Sequence, residues 1–193
     1  MDDQKILIDD LKDAFLSDKE LETILSGYQK VLIKKNEYIL KQDKVCDAYY
    51  FVSEGFLRSY AIDYNGNEVT TNFFSKTDLI LEETSFFLRI PSKENIQAIE
   101  DCVLWKKNFD VFDIHFNSFD KYREWGRAHL VKNFFALKQR SLSMITETAK
   151  ERYKNLLYEH PNIVQQASLK HIASYLGVTD TSLSRIRKEI VKK

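Results

Sequence analysis

The sequence predicts an α+β protein in which an antiparallel β domain is followed by a long helix and a C-terminal helix pair. Three observations support that class. From about residue 30 to 110, short β-like runs alternate with turn residues. From 118 to 140, apolar residues return at helical spacing. Residues 169–190, LKHIASYLGVTDTSLSRIRKEI, then hold two short helical runs around one glycine.

Taken in order, the first thirty residues read as helical. In SDKELETILSGYQK, Ser17 stands three residues before Glu20, the spacing of a capping box. Leu21, Ile24 and Leu25 follow, with Gly27 as the expected stop. The period then changes. KVLIKKNEYILKQ, AYYFVSEGFLRSYAID, VTTNFF, ENIQAIED and CVLWKK are β-rich segments bounded by turns. Asn65-Gly66 predicts a hairpin with a primed turn, which needs positive φ at both central residues. Gly55, in VSEGFL, marks a tight turn or bulge. Strands at this spacing favour an antiparallel domain, closed or two-sheeted, over a parallel one.

In the long helix, AHLVKNFFALKQR places Leu130, Phe134 and Leu137 on one stripe, widened by Val131 and Phe135. An apolar arc this wide needs cover on more than one side. The β domain supplies one cover. The simplest second cover is the same helix of another copy, because two-fold homodimers are the commonest assembly. A further helix is expected near 146–158, before Pro161.

Composition narrows the function classes. The chain has 193 residues, 44% hydrophobic and 13% aromatic, with five Gly and two Pro, which fits one large or two modest packed domains. No apolar run approaches the roughly 18 residues that span a bilayer, so no membrane is expected as a partner. The start, MDDQKILIDD, is acidic where a secretory signal is positive, and a cytoplasmic location is expected. Cys46 and Cys102 are far apart, and His115, His129, His160 and His171 are scattered. Neither set has metal-ligand spacing, so no metal and no cofactor are expected. No nucleophile–base motif stands out, so no catalytic residue is assigned and an enzyme is not expected.

The formal net charge is zero, but its distribution is uneven. Residues 1–140 carry 20 Lys/Arg against 24 Asp/Glu, and residues 141–193 carry 9 against 5. Within 165–193 the count is 6 against 2. A basic module on an acidic body suits local contact with a polyanion.

That basic module also has the spacing of a helix-turn-helix. Ala173 is small where two helices approach, Gly177 follows four residues later, and Leu183 and Ile186 lie six and nine beyond it. Ile172, Leu176, Val178 and Ile190 complete the apolar seam, and Thr179 suits the N-cap of the second helix. With that seam inward, Asp180, Thr181, Ser184, Arg185 and Lys188 face outward. Arg185 suits guanine in the major groove, and the hydroxyls suit bases or phosphates. Ser182, Arg187 and Lys170 are phosphate-contact candidates. The DNA-binding set is therefore Thr179, Asp180, Thr181, Ser182, Ser184, Arg185 and Lys188.

An N-terminal helix, a β-roll with YYFVSEG and YNGNE, a long helix and LKHIASYLGVTDTSLSRIRK together resemble the Crp/Fnr family of bacterial transcription regulators. The resemblance covers essentially the whole chain. It implies a double-stranded β-helix (jelly roll) of the cyclic-nucleotide-binding type over 1–115, a dimerisation helix over 116–140 and a helix-turn-helix domain over 141–193. It also implies a homodimer on two-fold symmetric promoter DNA, contact with RNA polymerase, and a small-molecule effector in the β-roll.

The sequence departs from the family where a cyclic nucleotide would bind. Members that bind one carry a cassette resembling F-G-E-x-A-L followed by R-[ST]-A, and the matching stretch here is TDLILEETSFFLRIPSKENIQAIE. Leu81 replaces the glycine, Glu82 or Glu83 stands for the ribose-binding glutamate, and Ser92 falls at the phosphate arginine, with Arg89 displaced nearby. The candidate ligand pocket is thus Glu82, Glu83, Thr84, Ser85, Arg89 and Ser92. A buried cyclic phosphodiester without its arginine loses a charge-assisted bidentate contact, so cyclic AMP is not expected to bind and the effector stays unassigned. The cysteine cluster of the family's oxygen sensors is missing, and the sequence ends three residues after Ile190, so no β-hairpin wing is expected. The competing reading is a ligand-binding β-roll whose C-terminal helices serve only packing or protein interaction.

Overall fold

The computed structural model describes residues 4–191. Two helices open the chain, α1 (Lys5–Leu11) and α2 (Asp18–Ser26), joined through a 3-10 turn at Lys12–Ala14. The start of α2 is set by the expected capping box: the Ser17 side chain accepts from Glu20 N, and the Glu20 carboxylate accepts from Ser17 N at 2.7 Å. Gly27 does end α2, but at φ −77 it uses no left-handed freedom. A Cβ there would sit 2.8 Å from Val111 Cγ1, so close approach is what requires the glycine.

Eight strands follow: β1 (Gln29–Ile33), β2 (Tyr38–Leu40), β3 (Ala48–Glu54), β4 (Leu57–Ile62), β5 (Glu68–Phe74), β6 (Leu79–Ile80), β7 (Asn95–Ala98) and β8 (Cys102–Asn108). They form two four-stranded antiparallel sheets, ordered β1-β8-β3-β6 and β2-β7-β4-β5. One core joins them: Val52 and Leu104 from the first sheet meet Leu57 and Ile96 from the second. Leu7, Leu11 and Ile24 of the opening helices close it at one side. This is the two-sheeted antiparallel domain that the turn spacing predicted.

The β4–β5 hairpin differs from expectation. Gly66 has φ +83, but Asn65 is not among the residues with positive φ. Gly66 N donates to Asp63 O at 3.0 Å and Asp63 N to Asn67 O at 2.9 Å, so the loop is a type I turn followed by a left-handed glycine. The Asp63 carboxylate explains the change, because it accepts from Asn65 N and Asn67 N, both at 2.8 Å.

Between β6 and β7 lies a short helix that the strand pattern did not reveal, α3 (Glu83–Leu88), capped by the Glu82 carboxylate on Ser85 N. After β8 come α4 (Phe109–Ser118) and α5 (Asp120–Thr146). The long helix thus starts after and ends beyond the 116–140 range read from its apolar spacing. Phe119, in extended conformation between α4 and α5, makes the first break, and Thr148 makes the last by capping α6. Tyr122, Trp125 and Gly126 of α5 are buried against the β domain, whereas residues 131–139 are exposed.

A second hydrophobic cluster belongs to α6 (Ala149–Glu159), α7 (Pro161–Gln166), α8 (Leu169–Tyr175) and α9 (Asp180–Val191). Pro161, expected only to bound the preceding helix, itself stands in the first turn of α7. Tyr153, Leu156, Ile172, Ala173, Leu176 and Leu183 are its buried members. Among the described residues, no helix is long and apolar enough to cross a membrane.

Candidate nucleic-acid interface and sensor site

The α8–α9 turn is a Schellman motif. Val178 N donates to Ala173 O at 2.9 Å and Gly177 N to Ser174 O at 3.1 Å, with Gly177 at φ +69. Ala173 is fully buried, which lets α9 cross close to α8. Thr179 is the N-cap of α9: its Oγ1 accepts from Ser182 N at 3.3 Å and lies 3.0 Å from the hydroxyls of Thr181 and Ser182. Asp180 in the first turn adds an acidic group at the positive end of the helix dipole.

Leu183, Ile186 and Ile190 of α9 face the second cluster. At 3.6 residues per turn, Thr181, Ser184, Arg185 and Lys188 then lie on the opposite side. Thr179, Asp180, Thr181, Arg185, Arg187 and Lys188 are exposed, and Ser182 and Ser184 are half-buried. Lys170, on α8, is exposed too. One pair braces the helix from the side: Lys150 Nζ of α6 lies 2.6 Å from the Glu189 carboxylate. Arg152 fixes the turn from beneath, donating to Glu147 O at 2.5 Å and Leu176 O at 2.9 Å. The arrangement leaves one face of α9 open, with Arg185 and Lys188 spaced along it.

The six candidate pocket residues are placed less coherently. Ser85 is buried and ties two segments together: its Oγ accepts from Cys46 N at 2.7 Å and donates to Ile90 O at 2.5 Å. Ser92 is also buried, bonding Glu94 N and O at 3.0 Å each. Arg89, left-handed at φ 54, donates to Cys46 O at 2.7 Å and lies 4.0 Å over the Phe109 ring. Thr84 is exposed. Glu82 caps α3, and Glu83 accepts from Asn133 Nδ2 of α5 at 3.2 Å. A cleft of about 390 Å³ near Lys41 and Lys44, and an apolar cavity of about 30 Å³ between Phe86, Phe112 and Trp125, include none of the six.

What gathers beside Glu82 and Glu83 was not legible in the sequence. Burial raises the Glu83 carboxyl, with Glu82 adding repulsion. Burial also raises Glu94, which bonds Thr71 and feels Glu82, Glu83 and the opposing charge of Arg140. Arg140 of α5 donates to Thr71 O at 2.9 Å. Asn133 and Arg140 stand seven residues apart, two helical turns, so both face the β domain. That spacing was the available signal for them.

The family model described as cyclic nucleotide-binding domain matches residues 30–114. A curated anaerobic regulatory protein from Aggregatibacter actinomycetemcomitans is 24% identical over 182 residues, covering 86% of this chain and 68% of that protein. The solved structure of FixK2 from Bradyrhizobium japonicum superposes with a TM-score of 0.74 at 21% identity, over 86% of this chain and 85% of that one. A putative crp/fnr transcriptional regulator from Eubacterium rectale gives 0.74 at 19% identity, over 94% and 87%. Residues 30–114 thus match a cyclic nucleotide-binding domain, and the fold of the chain is similar to these solved structures, one of them described as a regulator of the crp/fnr family.

Proposed function

We propose that the protein is a dimeric, sequence-specific DNA-binding transcription regulator, with promoter DNA and RNA polymerase as its cytoplasmic partners. The observation that carries this reading is α9: a capped helix with an apolar seam inward and Thr181, Ser184, Arg185 and Lys188 outward. A helix presented this way fits the major groove, where an arginine reads guanine O6 and N7 as a fork. The exposed apolar face of α5 supports pairing with a second copy, which would bring two such helices to a two-fold site.

Cyclic AMP is not the effector in this reading. Ser92 is engaged within its own loop, Arg89 is held by Cys46 O and the Phe109 ring, and Glu82, Glu83 and Glu94 put negative charge where a phosphodiester would need cations. The test is recovery of bound duplexes from a random DNA pool, with and without cyclic nucleotides. Enrichment of a two-fold symmetric motif is expected, unchanged by cyclic AMP. On that motif Arg185→Ala should cost about 1–3 kcal/mol and relax selectivity at one base pair per half-site. No enrichment, or enrichment indifferent to Arg185, would favour C-terminal helices that only pack.

A further inference from the structure

The outer face of the β2-β7-β4-β5 sheet is covered by α8 of the reading head, and the seam between them contains a buried cation. Arg58 of β4 is 3% exposed. It pairs with the Glu68 carboxylate of β5, reaches Gln97 Oε1 at 3.5 Å, and lies 4.2 Å over the Tyr60 ring. Its Nε and Nη1 are buried without a hydrogen-bond partner among the described residues. Across the seam, His171 Nδ1 of α8 is buried and unpartnered as well. Around these groups the head is held by few bonds. Ser174 Oγ bonds Thr70 Oγ1 at 3.0 Å and accepts from Thr70 N at 3.2 Å. Arg140 Nη2 reaches Tyr175 O at 3.1 Å, and the Tyr175 and Phe73 rings lie 5.3 Å apart.

We propose that this seam is a proton-released latch that sets the orientation of the reading head on the β domain. One carboxylate, Glu68, already serves Arg58. The charged groups that act on His171 are Arg58 from β4, Glu68 from β5 and Lys170 of its own helix. Protonating His171 sets a second cation beside a guanidinium with unpaired donors, and the seam answers with a single partly exposed carboxylate. Burial first, and then Arg58, lowers the affinity of the docked imidazole for its proton. A histidine whose docked proton affinity is lowered favours docking above its free value, near 6.5, and opposes docking as the pH falls below it. Lifting α8 from the sheet hydrates both orphaned groups at once.

The experiment reads domain orientation directly and needs neither DNA nor dimer formation, so its failure is separate from failure of the DNA-binding reading. Tyr64, 97% exposed at the hairpin tip, and Tyr158, 89% exposed on α6, take cysteine substitutions for spin labels, while Cys46 and Cys102 are buried. Labelled chains are diluted with unlabelled ones, and the intramolecular distance is measured by pulsed dipolar spectroscopy at pH 8 and 5.5. One narrow distance at pH 8 and a second population at pH 5.5 are expected, with unchanged far-ultraviolet circular dichroism. His171→Gln and Arg58→Met should each keep the pH 8 distance at pH 5.5. An unchanged wild-type distribution would overturn the latch. So would an acid shift that persists in His171→Gln, since that variant retains every other histidine.

Discussion

Lys107 is fully buried, and its Nζ meets Ile24 O at 3.0 Å, His115 Nδ1 at 3.3 Å and Tyr122 Oη at 3.4 Å, beneath the Tyr28 ring at 4.1 Å. Tyr28, Tyr49 and Tyr122 link their hydroxyls at 2.6 Å each, so the amine ends a chain of neutral groups rather than facing a carboxylate. Burial pushes the amine down to about 7, and burial with Lys107 nearby pushes His115 down to about 4. An amine at about 7 when folded and 10.5 when unfolded binds fewer protons in the folded chain across that interval. Stability must therefore rise with pH from about 7 upward. The raised Cys46 and Cys102 thiols act in the opposite direction only above about 8.5, where unfolded thiols ionise. Between pH 7 and 8.5 the unfolding midpoint in urea is expected to climb, by on the order of 2 kcal/mol in stability. Lys107→Met should flatten that rise at little net cost near pH 7, since it removes a buried cation but strands its acceptors. Equal slopes in the two proteins would show that Lys107 is not the group responsible.

At the scale of elements, the α8–α9 corner depends on one backbone angle. Gly177 at φ +69 would carry a Cβ 2.5 Å from Met144 Cε, so alanine there meets both a left-handed penalty and the end of α5. Gly177→Ala is expected to lose about 1–2 kcal/mol, read as a lower melting temperature and weaker DNA binding. Adding Met144→Ala should recover only the part due to contact; full recovery would mean that backbone strain contributes nothing. This corner was legible in the sequence because its requirements are local: a small residue, a glycine and two apolar positions within fourteen residues. The hairpin was half legible, since Asn65-Gly66 located the turn but the Asp63 side chain chose its type. The acidic cluster beside Glu82 was not. Glu83, Thr71, Glu94, Asn133 and Arg140 come from segments that only the closed β domain brings together, while Ser85 is tied to Cys46 N and Ile90 O and Ser92 to Glu94.

For the whole molecule, α5 is the element that joins the two clusters and also the one left half uncovered. Phe134, Phe135 and Leu137 are 63%, 61% and 64% exposed, and Ile145 is 78% exposed further along. An apolar stripe left mostly uncovered among the described residues along the second half of a helix would be stabilised by burial against a copy, at about 25 cal/mol per Å² removed from water. A two-fold axis along α5 would set the two α9 helices for half-sites about one turn of DNA apart, near 34 Å. Phe135→Glu should act on assembly alone, because Phe135 packs on little in the single chain and the charge would face its own copy across the axis. Light scattering should fall from about twice 22.8 kDa to 22.8 kDa, with the melting of the β domain unchanged. Affinity for the full two-fold site should drop by more than about tenfold, toward that for a half-site, because the second head no longer binds at high effective concentration. A wild-type mass of 22.8 kDa at micromolar concentration, or a variant that stays dimeric, would remove α5 as the pairing surface. A monomeric variant that keeps full-site affinity would mean instead that each head reads DNA alone, and the uncovered stripe would then need a different partner.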